Sequence, residues 1–439
     1  MADVDYERDE QMLEARRLKR LEMRRKRMIQ KRITLGVALL VLVVLVVVIV
    51  RSCGGDTPET ENADPPPTVP ENNVQLPVEP EPKTSTATLA AVGDIMVYDS
   101  QLEDARKDDG TYDFLPCFAP VGDLLAAADI TVGNFEANFA GSPYSGKPDF
   151  RAPEDLAKTL GGLGFDILQT ANTYSIQNGI ESGLTNTINV IRGAGMDTLG
   201  TYLSAEDRDE NQVVLKEANG IKVAFIAFTK GLNSLSVPED KSYCVDLMYT
   251  DYNTNFSNVN RAALTSAVEK AKGLEPDVIV AMLHWGSEYV VQPSASQNEV
   301  AELLINAGVD VILGTHPHVV GPMEQRTVTV DGQEKNVFIA YSLGNFMAAM
   351  GRDDPYLEES VILNLEFTKD QNAGTTTISA VNYVPVYQFD NGEGAINRYE
   401  VRSAYDVLAS DPDEDTKKLM EDTIALLKTN TASAFDRGN

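Results

Sequence analysis

The chain has 439 residues, 37 Lys/Arg against 66 Asp/Glu, and a formal net charge of −29. A chain this acidic repels phosphate backbones, which excludes a general nucleic-acid binder. Its three Cys exclude both a disulfide framework and a Cys-rich zinc module, while 43% hydrophobic residues suffice for a sizeable core, as two or three domains or one large domain with appendages.

The charge is divided unevenly. Residues 1–32 hold 11 basic and 7 acidic side chains, whereas residues 52–439 hold 25 basic and 59 acidic. Between them lies ITLGVALLVLVVLVVVIV, residues 33–50, without a single charge. As a helix this run rises about 27 Å, close to the hydrocarbon thickness of a bilayer. It exceeds the roughly 7–15 apolar residues of a signal peptide, and no small-residue cleavage site follows it. Arg51 and Ser52 ahead of Cys53 do not make a lipoprotein box either. Basic residues crowd Arg16 to Arg32, and only Arg51 flanks the other end. The positive-inside rule therefore predicts one transmembrane helix, a cytoplasmic N-terminus and an extracellular remainder, with 1–32 as a basic cytoplasmic segment at the cell membrane. Residues 51–86 read as an extended linker, since 52–86 contain eight Pro and seven Asp/Glu.

From residue 87 short apolar runs alternate with helical patterns, as in an α/β domain of βαβ units. TLAAVGD (88–94) reads as a first strand, DLLAAAD (123–129) as a helix and ITVGN (130–134) as the next strand. DILQTA (166–171), MDTLG (196–200) and KVAFIAFT (222–229) are further strand candidates. A helix over 258–272 precedes DVIVAMLHWG (277–286), and one over 295–307 precedes VDVILGTHPH (309–318). These last runs are apolar on both faces, as in a covered parallel sheet. After His318 the pattern turns antiparallel. RTVTV and QEKNVFIAYS form a hairpin around Asp331-Gly332. VILNLEF (361–367) pairs with TTISAVNYVPVYQ (375–387). The domain is expected to span 87–390, with a C-terminal helical extension over 391–439 whose helix covers 412–428.

Polar residues of metal-ligand type close several of these strands: Asp94 in VGDIM, Asn134 and Glu136 in VGNFE, Asn172 in TANTY, His284 in LHWG, and His316 with His318 in GTHPH. Ligands of open α/β sheets bind beyond the carboxyl ends of the strands, where such groups converge. All three histidines of the chain lie in two of these motifs. Pro317 biases His316 to an extended conformation, in which positions 316 and 318 face the same way. Asp94 either bridges ions or caps the turn after its strand; Asn134 and Glu136 either ligate or hold a loop. Carboxylate and amide oxygens mixed with imidazole nitrogens suit Mn, Fe or Zn, one ion or two, in a hydrolytic site. Trp285 and Tyr289 either wall the pocket against substrate or pack the core. Glu288 is a candidate acid/base or a solvated side chain, and Asn345 in YSLGNF either orients a ligand or braces a turn. Cys117 and Cys244 allow a disulfide or two buried thiols.

The order GDIM, VGNFE, AN with a short gap to Gly179, HWGSEY, GTHPHV and YSLGNF resembles CapA-type proteins of poly-γ-glutamate capsule synthesis, in the calcineurin-like metallophosphatase superfamily. The resemblance covers roughly residues 87–350. It implies a four-layer α/β sandwich with a dinuclear metal site, anchored in the membrane with the domain outside. It also implies an anionic capsule or envelope polymer, and other capsule-synthesis proteins, as partners. One motif departs. The family reads A-N-N-H, two residues, D, one residue, G; here Thr173, Tyr174 and Gln177 replace the second Asn, the His and the Asp. That Asn is a metal ligand in the superfamily, and that His assists the leaving group. Tyr174 can donate a hydrogen bond there, beside His284 and Glu288 as the other catalytic candidates. Three readings follow: a metal-assisted hydrolase or transferase of polymer, a non-enzymatic binding module with a reduced metal site, and a phosphoesterase of small esters.

Overall fold

The computed structural model describes residues 83–330, 332–350 and 355–431. The basic segment, the 33–50 run, nearly all of the linker, Cys53, Asp331 of the hairpin turn and the last eight residues lie outside them. Among the described residues no helix is long and apolar enough to cross a membrane.

Among the described residues fourteen strands form two sheets. They are β1 (Thr84–Ile95), β2 (Ile130–Phe135), β3 (Ile167–Gln169), β4 (Asp197–Leu199), β5 (Val214–Ala218), β6 (Ile221–Thr229) and β7 (Val278–His284). The rest are β8 (Val311–Thr315), β9 (Met323–Val330), β10 (Gln333–Ala340), β11 (Asn345–Met347), β12 (Glu359–Asp370), β13 (Thr375–Asp390) and β14 (Tyr399–Ser403). The first sheet runs β14-β13-β12-β1-β2-β3-β4, with β11 also on β1; the second runs β5-β6-β7-β8-β10-β9. Strands β1 to β4 are mutually parallel, as are β6, β7, β8 and β10, so their carboxyl ends gather at one edge of each sheet.

The longer helices are α1 (Asp99–Ala105), α2 (Asp155–Leu163), α3 (Asn186–Gly193), α4 (Ala205–Asn211), α5 (Arg261–Lys272), α6 (Ala295–Ala307), α7 (Ala404–Ala409) and α8 (Glu414–Thr431). The period-2 alternation of strands separates the layers. In β6, Val223, Phe225 and Ala227 face the other sheet with Leu89, Val132 and Leu363. The alternate residues Ala224, Ile226 and Phe228 pack under α5 and α6 with Leu264, Val268 and Leu304. On the far side, Val92 and Phe135 meet Leu102 of α1 and Leu156 and Leu160 of α2. Helices thus cover the outer faces of both sheets, a four-layer α/β sandwich, and this explains strands apolar on both faces. Helix α6 begins and ends where its sequence says. Ser294 and Gln297 form a reciprocal cap, and Gly308 closes the last turn at φ 124°.

Several expectations shift. Strand β1 starts at Thr84, inside the stretch read as linker. The helix expected over 123–129 is only Gly122–Leu125. The 391–439 stretch is not wholly helical: β14 is an edge strand on β13, and Leu427 of α8 enters the core between the sheets. The antiparallel expectation after His318 holds for β9/β10 and β12/β13, but β10 lies parallel to β8 and β11 parallel to β1. Strand direction depends on where the chain returns, which local pattern does not encode.

Candidate metal centre

Register brings the strand-end residues together. In the first sheet Asp94 pairs with Asn134 on one side and Asn345 on the other. In the second, His284 lies between Thr229 and Thr315. Two glycines permit the close approach. A Cβ on Gly93 would stand 1.9 Å from the Gly344 carbonyl oxygen, and one on Gly314 2.1 Å from that of Tyr341. Neither position admits a side chain.

The resulting cluster is buried. Asp94, Asn134 and His284 are 0% exposed, Glu136 1%, His318 2% and His316 6%. Ligand atoms of Glu136, His316 and His318 lie within 4.8 Å of one another, as do those of Asp94, Glu136 and His284. Glu136 belongs to both groups. His284 Nε2 is 3.3 Å from Glu136 Oε1, and its Nδ1 is 3.1 Å from the Thr315 hydroxyl. His318 Nδ1 is 2.9 Å from Asn345 Oδ1 and 3.2 Å from Asp94 Oδ2. The Asn345 amide donates to Leu357 O at 2.9 Å, an acceptor only, so its oxygen faces His318 and Nδ1 carries the ring hydrogen. His318 Nε2 is left for a ligand.

His316 Nδ1 is buried without a hydrogen-bond partner among the described residues. A buried polar atom with no partner needs explanation, and on an imidazole grouped with a carboxylate and a second imidazole a cation would supply it. The residues present therefore fit a divalent metal, with oxygen and nitrogen donors and no thiolate.

The electrostatics follow from the cluster's own charges. Burial pushes the Asp94 carboxyl up, but the hydrogen bond and charge of His318, then His284 and Asn134, bring it below its ordinary value. His318 feels the same burial in the opposite sense, yet Asp94 and Glu136 raise it to about 9. Burial and the neighbouring His284, Lys230 and His318 hold His316 well below its ordinary value, so it stays neutral.

The two site histidines are not extended, contrary to the sequence-based expectation. His316 has φ 92° and His318 φ 61°. The turn after β8 is held instead from the first sheet, where Asp94 Oδ2 accepts the His316 N–H at 3.3 Å. Left-handed backbone at bulky residues is strained and recurs at functional sites.

The amide side chains hydrogen-bond to the carboxylates, to each other and to backbone. Asn134 Nδ2 donates to Asp94 Oδ1 at 2.7 Å and Glu136 Oε2 at 3.3 Å, and its oxygen accepts from Asn172. Asn172 donates to Phe135 O at 2.7 Å and accepts from Tyr174 N at 3.0 Å, so both its ends are committed to backbone. Thr173 occupies the departing position. Its hydroxyl donates to Glu136 Oε1 at 3.0 Å and lies 3.4 Å from His284 Nε2, inside the Asp94–Glu136–His284 group. A hydroxyl stands where the family pattern places an amide oxygen.

Trp285 is corrected outright. It is 0% exposed, donates from Nε1 to Tyr341 O at 2.9 Å, and packs under the second sheet, so it does not meet substrate. Alternation along the strand end turns residue 285 away from residue 284. Tyr289 does reach the site, its ring 6.0 Å from that of His318. Glu288 is exposed at the mouth. Tyr174 is half-buried with its ring against Phe150, and burial, then Glu136 and Glu288, push its hydroxyl up. It is a neutral donor.

Sequence reasoning missed Tyr98, Thr315, Lys230 and Asn233. Burial and the fields of Tyr174 and Tyr289 raise the Tyr98 hydroxyl, which places it at the same mouth. Lys230 was within reach of the strand-end rule, since it directly follows β6. Cys117 and Cys244 are free, buried in separate clusters, so they form no disulfide.

Comparison with known proteins adds the following. Residues 88–350 match the family model described as bacterial capsule synthesis protein PGA_cap. The capsule biosynthesis protein CapA of Bacillus anthracis is 28% identical over 273 residues, 60% of this chain and 60% of its own. The PGA biosynthesis protein CapA of Bacillus subtilis (strain 168) is 26% identical over 280 residues, 59% of this chain and 63% of its own. The chain thus matches about three-fifths of the length of either relative. Among solved structures, a putative 5'-nucleotidase from Staphylococcus aureus aligns with a TM-score of 0.43 at 14% identity, over 78% of this chain and 58% of that one.

Proposed function

The chain belongs to the bacterial capsule synthesis protein family PGA_cap, and from that premise we propose that it handles an anionic capsule or cell-envelope polymer, poly-γ-glutamate first among them. Its part is in synthesis, retention or processing of the polymer, by metal-assisted hydrolysis or transfer. The 33–50 helix would hold it in the cell membrane with residues 52–439 outside, where such a polymer is met.

The observation that carries the reading is that Asp94, Glu136, His284, His316 and His318 form two buried groups of ligand atoms that share Glu136. A divalent ion held by these residues would supply Lewis-acid activation of a substrate oxygen. The chain's own groups do the rest. Asn134 and Asn345 fix the directions of Asp94 and His318. Tyr174, kept neutral, donates a hydrogen bond to an oxygen of the bound polymer. Glu288 stands exposed beside Tyr289 and offers a carboxylate there. The test is metal analysis of the purified chain together with poly-γ-glutamate chain length after incubation. Bound metal with shortened or transferred polymer supports the reading. Absence of metal, with behaviour unchanged in H316A/H318A, would sink it.

Thr173 favours a second reading, a module that binds polymer without turnover. Binding with no change in chain length, and new activity in T173N/Y174H, would support it.

A further inference from the structure

The loop leaving β6 contributes no carboxylate or imidazole to the cluster, yet it lies against it. Lys230 opens this loop and is tied twice to the end of β7. Its backbone N–H donates to His284 O at 2.8 Å and its Nζ to Gly286 O at 2.5 Å. The ammonium also stands 4.7 Å from the Phe256 ring centroid. These contacts fix a stem that is flexible on an open surface.

Two other half-buried lysines of the sheets are neutralised. Lys335 pairs with Asp310 and Lys369 with Asp277, each at 2.7 Å. Lys230 makes no ion pair among the described residues, and one backbone carbonyl uses one of its three donors. Burial depresses its pKa, with Glu288 the opposing charge. Its backbone bond to His284 O sets the residue beside the strand end that carries a cluster imidazole. Three residues on, Asn233 takes a left-handed conformation, φ 49°, and meets the Tyr174 hydroxyl. One loop therefore carries both a cation tied to the end of β7 and an amide that meets Tyr174.

We propose that Lys230 is the anion-binding residue of this site, receiving an oxyanion of the substrate, carboxylate or phosphate, beside the carboxylate–imidazole cluster. It rests on the polymer reading above and sharpens it. Residues 52–439 hold 59 acidic side chains against 25 basic, so the domain as a whole repels an anionic substrate. A fixed local cation with spare donors is what admits one.

The full-length chain is titrated calorimetrically with poly-γ-glutamate oligomers and, separately, with inorganic phosphate, with metal content measured in parallel. The wild type binds at least one of the two, and K230Q binds it about tenfold more weakly at unchanged metal content. K230R, which keeps the charge, stays within about threefold of wild type. K230M keeps the stem on Phe256 and carries the same expectation as K230Q should K230Q not fold. Loss on polyglutamate assigns a carboxylate, loss on phosphate a phosphoryl group. Wild type that binds phosphate through Lys230 but not polyglutamate keeps this inference and overturns the polymer reading. Wild type that binds polyglutamate, with K230Q and K230M unchanged, overturns this inference and keeps the polymer reading. Wild type that binds neither anion overturns it as well.

Discussion

Asn345 is the position at which the geometry makes the most discriminating prediction. Its motif admits a direct role in substrate binding, but its atoms are spent elsewhere. The residue is 2% exposed; Oδ1 accepts from His318 and Nδ2 donates to Leu357 O, both at 2.9 Å. Asn345→Ala removes both bonds. The Leu357 carbonyl is left buried and unsatisfied, a loss of about 1–3 kcal/mol. The His318 ring loses the acceptor that fixes its tautomer, and loss of such an outer partner lowers metal affinity about 10–100-fold. Asp94 Oδ2 remains 3.2 Å from the same ring nitrogen, so the lower end applies, about tenfold. Asn345→Asp keeps the acceptor towards His318 and should retain most of the affinity. Chelator competition measures metal affinity, and urea unfolding of the metal-free chain measures stability. A variant N345A with metal affinity within about twofold of wild type but weakened polymer binding would refute the reasoning and return Asn345 to substrate contact.

Trp285→Phe should cost about 2–3 kcal/mol, from the lost bond to Tyr341 O and the smaller ring in a filled site, and should leave polymer binding unchanged. Urea unfolding followed by circular dichroism reads it; lost binding at wild-type stability would contradict it. Cys117 and Cys244 should resist alkylation at pH 8 until the chain unfolds. Burial pushes Cys244 up to about 11, which leaves roughly one thiolate in a thousand at that pH, and raises Cys117 further. Rapid labelling of either, or a peptide linking them, would show otherwise by mass spectrometry. Arg208→Ala should destabilise by about 3–5 kcal/mol at pH 7, because Arg208 is the cation paired with the fully buried Asp246. Burial raises the Asp246 carboxyl even with Arg208 present. A carboxyl with a raised folded pKa destabilises above that pKa, and the penalty fades as pH falls to the unfolded value. The deficit of R208A should therefore shrink between neutral pH and pH 4; a deficit that grows on acidification would overturn the assignment.

The legible parts of this molecule were the local ones. Strands apolar on both faces announced covered sheets, and Ser294 with Gln297 marked the start of α6. The scarcity of histidine pointed at two strand ends. These signals need only periodicity and neighbours in sequence. Edge strands β5 and β14 escaped because each is only five residues long, too short a run for alternation to stand out.

The site divides along the same line. By itself the sequence determined which residues reach the strand ends: Asp94, Glu136, His284, His316 and His318. A side chain at the carboxyl end of a parallel strand is placed by the strand, whatever surrounds it. Only the tertiary structure decided what each group does there. It turned Trp285 into the core and set His316 and His318 in left-handed backbone. It bound Asn172 and Asn345 to carbonyls, and it fastened Lys230, on an unremarked loop, to the end of β7. Those outcomes follow from contacts between distant segments, Gly93 against Gly344 and Gly314 against Tyr341 above all. No window of sequence contains both partners of such a contact, so direction and hydrogen-bond partner emerge only when strands distant in the chain come together.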